Sequence, residues 1–154
     1  MRTHRLTSAD VELGRRVFAL LREVFEAPGS GSERGAEGPA ALGDAYLEKL
    51  LANDAFWAFA AFVGDELAGG LTAHTLPMTR DESSEVFIYD VAVHPSYQRK
   101  GVGRALIQSL RDAAAEQGIH EVFVPADNED THALDFYRAV GGEASPVTFF
   151  GFSR

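Results

Sequence analysis

The sequence has no cysteine, one tryptophan and two methionines in 154 residues. Without cysteine there is no disulfide scaffold, iron–sulfur cluster, thiolate zinc site or Cys nucleophile. Long hydrophobic runs are lacking too. The longest, Phe56 to Val63, has eight residues, against the roughly 20 that span a bilayer. Positive charge is scarce, with Lys+Arg 14 against Asp+Glu 23 and a formal net charge of −9. That balance speaks against a broad grip on nucleic acid and leaves room for a cationic partner. Met1-Arg2-Thr3-His4-Arg5 leads into a mixed polar and apolar stretch with no signal-peptide core, so the expected location is the cytoplasm. There is no GxSxG elbow and no GxxxxGK[ST] loop. The 5 histidines show no HxH or HExxH spacing, so no metal site is expected.

What is present is ordinary for a globular chain: 45% hydrophobic and 24% charged residues, enough for one domain spanning residues 1–154 with its own core. Val17, Phe18, Leu21, Val24 and Phe25 mark one face of a helix from about Ala9 to Phe25. Thr7 and Asp10 are spaced for a capping box. Ala27 to Pro39 is rich in Gly, Ser and Pro and reads as a mobile loop. A second helix is expected over Leu42 to Ala52, burying Tyr46, Leu47, Leu50 and Leu51. The period then changes. Phe56–Val63 and Leu67–Thr75 read as strands joined by a short hairpin turn, and Glu85–Val93 as a third strand. A helix from Val102 to Gly118, a strand at Glu121–Pro125, a helix after Asp130 or Thr131 and a last strand at Val147–Phe152 complete the order. The class is α+β, one mixed sheet with helices on its faces.

The most informative segment runs from Val91 to Arg104. A turn with two glycines opens directly into a helix, whose first amides lack internal partners and carry the positive end of its dipole. Gly101 and Gly103 remove side chains that would block close approach, and Arg99, Lys100 and Arg104 add positive charge. The same residues would also serve as a plain helix start with solvated cations.

Gln98-Arg99-Lys100-Gly101-Val102-Gly103 resembles the [QR]xxGx[GA] signature of the GCN5-related N-acetyltransferases, which bind acetyl-CoA. The flanking Val91–Pro95 and Ala105–Ile107 fit the same block, and Ala133 to Gly142 resembles the family's A-x-x-[LF]-Y-x-x-x-G block. Ser84-Glu85, Tyr89-Asp90-Val91-Ala92-Val93 and Ala126-Asp127 further resemble the aminoglycoside 3-N-acetyltransferases of the gentamicin-resistance type. The resemblance implies a twisted, mainly antiparallel sheet of six to seven strands flanked by about four helices. It also implies transfer of acetyl from acetyl-CoA to an amine, with no metal.

By position, the resemblance implies that the backbone at Val91 and Val93 meets the pantetheine arm. It likewise implies that Gln98, Arg99, Lys100, Gly101, Val102, Gly103 and Arg104 hold the pyrophosphate, and that Tyr137 protonates the departing thiolate. Asp90, a carboxylate inside an apolar strand, is the candidate base, because a charge there must be paired or useful. Glu85 is the second candidate; strict alternation places it on the opposite face from Asp90 unless a bulge intervenes. Asp127, Glu129 and Asp130 form an acidic loop that reads as a rim for a polycationic substrate or as a helix cap with solvated neighbours. His74 on its strand reads as packing or as a substrate contact. Trp57, Phe56 and Phe59 read as core. A homodimer is among the expectations, since Phe149-Phe150-Gly151-Phe152 is apolar enough for an interface and equally suits a core strand. Alternatives to an aminoglycoside are a polyamine, another small amine, a peptide amine, or a non-catalytic acyl-CoA sensor.

Overall fold

A computed structural model describes residues 1–26 and 41–154; the loop expected at Ala27–Pro39 lies outside the described residues. In chain order the elements are β1 (Arg2–Arg5), α1 (Val11–Glu26), α2 (Asp44–Ala52), β2 (Phe56–Val63) and β3 (Glu66–Pro77). They continue with β4 (Ser84–Val93), α3 (Val102–Glu116), β5 (Glu121–Phe123) and α4 (Thr131–Ala139). The strands form one sheet in the order β1-β2-β3-β4-β5. Neighbours are antiparallel except β4 and β5, which run parallel.

Two expectations are corrected. The sheet has five strands among the described residues, not six to seven. Val147–Phe152 forms no strand: the chain beyond Gly142 has no regular structure and is exposed throughout. A strand that the sequence reading lacked, β1, pairs Arg2–Arg5 with Phe59–Phe62 along the sheet edge. Its residues show no apolar alternation; Arg2 and Arg5 instead lay their guanidinium groups over the rings of Phe62 and Trp57.

The sheet separates two cores. On one face α3 contributes Val102, Leu106 and Leu110 against Phe59, Leu71, Val86 and Ile88. On the other, α1 contributes Val17 and Leu21, and α2 contributes Leu51, against Ala58, Ala60 and Ala92. Small residues on β2 and β3 let the helices come close. At Gly70 an added Cβ would lie 2.7 Å from Val17 Cγ1. Leu106 and Leu110 are fully buried, and truncating side chains of this kind to Ala costs about 2–5 kcal/mol. Asp10 accepts from the Thr7 amide at 2.7 Å, which fixes the entry to α1. Tyr46 departs from expectation: it is exposed on α2, while Leu47 and Leu51 face inward. No helix among the described residues is long and apolar enough to cross a membrane.

Candidate active site

The geometry of β4 decides which carboxylate faces which side. Thr72 pairs with Asp90, but the next residue, Ala73, pairs with Ile88. Tyr89 is therefore the extra residue of a β-bulge, which reverses the parity of the strand. Before the bulge Val86 and Ile88 point into the α3 core; after it Ala92 joins the α1 core. Glu85 and Asp90 thus share the α1 face, contrary to strict alternation. Five residues of extended chain still hold them about 15 Å apart, so a single reacting centre can use only one.

Asp90 lines a cavity whose wall does not include Glu85. A space of about 800 Å³ opens between α1, α2 and the centre of the sheet, lined by Phe18, Tyr46, Phe56, His74, Tyr89 and Asp90 among others. Its size suits a small molecule. Asp90 Oδ2 accepts from the hydroxyl of buried Thr72 at 3.1 Å. Glu85 instead stands 3.9 Å from the Arg80 guanidinium. The His74 ring lies between Phe56, at 5.4 Å between centroids, and Tyr89, at 5.7 Å. Of these, the sequence pointed to His74 as a substrate contact and to Phe56 as core, and it gave no sign of a cleft role for Thr72, Tyr89 or Phe18. The alternation of β3 around Ala73 and His74 would have placed Thr72 and His74 on one face.

The opposite side of the site is a wedge in the sheet. β5 pairs with β4 only at Glu85, Val86 and Phe87. From Ile88 to Val93 no strand pairs with β4 on that side, which opens a gap in the sheet there. Just beyond, Arg99 and Gly101 both have positive φ, +63° and +82°, and α3 begins. Left-handed residues here turn successive amides toward one point, an anion-binding concavity at a helix N-terminus. The first bond of the helix runs from the Ala105 amide to the Gly101 carbonyl, so the amides of Val102, Gly103 and Arg104 precede the ladder. Gln98 Nε2 donates to the Val93 carbonyl at 3.2 Å and ties the turn to the end of β4. Lys100 lies over the Tyr97 ring, 5.6 Å from its centroid. Arg104 donates to the Ala139 carbonyl at 2.8 Å, so part of its guanidinium closes the end of α4. The wedge and the amide cluster together fit a pantetheine arm ending in a pyrophosphate.

The family now follows from the chain itself. Residues 16–141 match the Acetyltransferase (GNAT) family. The chain belongs to that family. An aminoglycoside acetyltransferase from an uncultured soil metagenomic sample, solved in complex with sisomicin, superposes on this GNAT chain with a TM-score of 0.86. The two are 31% identical, with 99% of this chain and 96% of that one covered. The aminoglycoside N-acetyltransferase AAC(6')-Iy in complex with CoA superposes with a TM-score of 0.74 at 21% identity, over 99% of this chain and 94% of that one, a likeness of fold. Among curated relatives, GCN5-related N-acetyltransferase 2, chloroplastic, of Arabidopsis thaliana is 37% identical over 68 residues, 44% of this chain. The match spans 25% of that relative's length.

In this GNAT chain, Tyr137 lies on α4 and lines a second cavity of about 450 Å³ on the other side of the wedge, together with Ile107, Val122 and Val140. Its phenol is pushed up to about 12, first by burial and then by the charges of Asp130 and Asp90. A phenol with so high a pKa stays protonated across the working range. The acidic loop makes local hydrogen bonds. Asp130 accepts from the Ala133 amide at 3.0 Å and caps α4, and Asp127 accepts from the Glu129 amide at 3.0 Å. Asp127, Glu129 and Asp130 are not among the residues lining the 800 Å³ cavity. No group of three or more potential metal ligands occurs among the described residues.

One consequence is a pH profile. If Tyr137 supplies the proton to the leaving thiolate, kcat should show no alkaline limb from its ionisation below about pH 11. A limb near pH 10 that disappears in Tyr137→Phe would overturn that placement.

Proposed function

We propose that this protein transfers an acetyl group from acetyl-CoA to an amino group of an aminoglycoside, directly, with both substrates bound. The observation that carries the reading is Asp90, held by Thr72 at the wall of a small-molecule cavity beside the open stretch of β4. The acceptor class rests on likeness over nearly the whole chain to the sisomicin-bound enzyme. Transfer at the 3-N position is what the sequence resemblance implies.

Acetyl-CoA supplies the acyl thioester. The backbone along β4 from Val91 to Val93 orients the pantetheine arm, and a Val91 amide directed at the thioester carbonyl stabilises the negative charge that develops there. The amides and cations from Gln98 to Arg104 hold the pyrophosphate. Asp90 takes a proton from the attacking amine, directly or through one water, as the C–N bond forms. Tyr137 gives its proton to sulfur as the C–S bond breaks. The sum is amine plus thioester giving amide plus thiol, and both side chains return to their starting states through solvent. Phe18, Phe56, His74 and Tyr89 give the cavity aromatic faces, on which sugar rings and ammonium groups bind favourably.

The test is free-thiol release across gentamicin-type and kanamycin-type aminoglycosides, spermidine and a short peptide. Aminoglycoside kcat/KM should exceed that for spermidine and peptide by at least about 100-fold, roughly 2.7 kcal/mol of transition-state discrimination. NMR of the product then reads which amine carries the acetyl group. Turnover confined to spermidine or the peptide would replace the acceptor and keep the chemistry. Tight CoA binding without turnover of any acceptor would favour an acyl-CoA sensor.

A further inference from the structure

The helix that carries Tyr137 is seated by partly buried side chains only. α4 (Thr131–Ala139) has nine residues and buries none of them fully, and helices this short are marginal by themselves. Asp130 caps its N-terminus. Its C-terminus closes on two glycines. The Gly141 amide donates to the Arg138 carbonyl at 3.0 Å and the Gly142 amide to the Tyr137 carbonyl at 2.8 Å, with Gly141 at φ +99°. This Schellman closure leaves the Ala139 carbonyl for a donor from outside the helix. The donor is Arg104 Nη2, 2.8 Å away, on the first turn of α3 and 35 residues earlier in the chain.

Arg104 and its neighbour Gly103 grip α4 at two points. The backbone of Gly103 lies so close that an added Cβ would stand 2.9 Å from the Phe136 ring. Ala139, which Arg104 holds, comes three residues after Phe136 and so lies on the same face of α4. Between the two points in sequence is Tyr137, whose ring packs against the α3 core. Charge alone would assign Arg104 to the pyrophosphate, yet its guanidinium is bonded to α4, and the helix dipole favours a cation at that C-terminus. Resting on the reading of Tyr137 as the acid, we propose that Arg104 is a positioning residue: it fastens α4 to the first turn of α3 and so holds the Tyr137 phenol where it protonates the leaving thiolate. The first turn of α3 then serves both ends of the cofactor. Its amides face the pyrophosphate, and its contacts with α4 place the proton donor for the sulfur.

Arg104→Met keeps an unbranched stem and removes the donors. At saturating acetyl-CoA and amine its kcat should fall about tenfold, while the Kd for CoA by calorimetry stays within about threefold of wild type. Arg104→Lys, which can still donate to the Ala139 carbonyl, should recover most of the loss. In a Tyr137→Phe background Arg104→Met should cost less than about twofold more, because the residue acts through the phenol. Wild-type kcat in Arg104→Met overturns the proposal. So does a Kd raised tenfold or more with kcat kept, which would return Arg104 to the pyrophosphate, or a full second loss in the Tyr137→Phe background. Hydrogen exchange needs no acetyl transfer. The α4 amides from Leu134 to Val140 should exchange at least about threefold faster in Arg104→Met, as the helix opens more often. Unchanged exchange overturns the seat of α4 whatever the kinetics show. Faster exchange together with wild-type kcat in Tyr137→Phe would overturn the phenol as the acid, and the positioning role with it, while the seat of α4 stood.

Discussion

Asp90→Asn should lower kcat/KM for the amine by about 10²–10⁴-fold near neutral pH, while the Kd for CoA stays within about twofold. The amide side chain keeps the shape of the carboxylate and its contact with the Thr72 hydroxyl, but it cannot take a proton. An acceptor amine is mostly protonated at pH 7, so the variant depends on the small fraction that is already free. Its rate should therefore rise with pH toward the amine's own pKa, along a steeper slope than the wild type. Glu85→Gln is the companion variant. Glu85 shares a face with Asp90 but sits on the far side of the bulge, beside Arg80 and outside the cavity, so its loss should change turnover by less than about threefold. Steady-state kinetics for both variants from pH 6 to 9 make the comparison. Near-normal turnover in Asp90→Asn would remove it as the base. A large loss in Glu85→Gln instead would move the reacting centre along β4.

Gly103→Val should raise the Kd for CoA at least about tenfold, near 1.4 kcal/mol. A Cβ at this position would meet Phe136 Cε2 and Cζ at 2.9 Å, closer than real Cβ atoms come. Unless the Phe136 ring alone turns aside, α3 or α4 must give way. The first moves the amides that precede the helix ladder, and the second moves Tyr137, the residue next to Phe136. Overpacking of this kind also costs about 1–3 kcal/mol of stability, so the melting temperature should fall alongside the affinity. Titration calorimetry with CoA, at a temperature where circular dichroism shows the variant folded, separates the two effects. An unchanged Kd in a folded variant would mean that the α3–α4 approach has no part in holding the pyrophosphate.

The long apolar elements were legible in the sequence because burial imposes a period. The stripe Val17, Phe18, Leu21 and the runs at Phe56–Val63 and Glu85–Val93 correspond to α1, β2 and β4 to within two residues at each end. The glycine turn was legible for another reason: Gly101 at φ +82° is a conformation few other residues adopt cheaply. Three features were not legible. The four residues of β1 are polar and carry no alternation, since Arg2 and Arg5 are held by aromatic faces rather than by burial of their own. The bulge at Tyr89 adds one residue without any signature in composition, and with it goes the parity that places Glu85 relative to Asp90. The segment Val147–Phe152 has strand composition but no strand beside it, because composition reports a surface that wants covering and not the identity of the cover. The acidic loop shows the reverse limit. Asp127 and Asp130 accept from backbone amides of the loop and of α4, an economy that net charge alone does not reveal.

The 800 Å³ cavity has consequences for how such a protein changes over generations. Its walls come from two sources: Phe18 and Leu21 on α1 and Tyr46, Leu47 and Leu50 on α2 on one side, Thr72 and Asp90 on the inner strands on the other. The strands are fixed on both edges by neighbours and by the α3 core, so a substitution there disturbs the whole sheet. The helical wall is under weaker constraint. Tyr46 reaches solvent, and Phe18 packs only partly into the α1 core. Selection for a new acceptor can therefore recut the α1 and α2 side of the mould while Thr72 and Asp90 stay in place. The variation that tracks a change of drug or metabolite among descendants of this sequence belongs at positions such as 18, 46 and 50, with position 90 held constant.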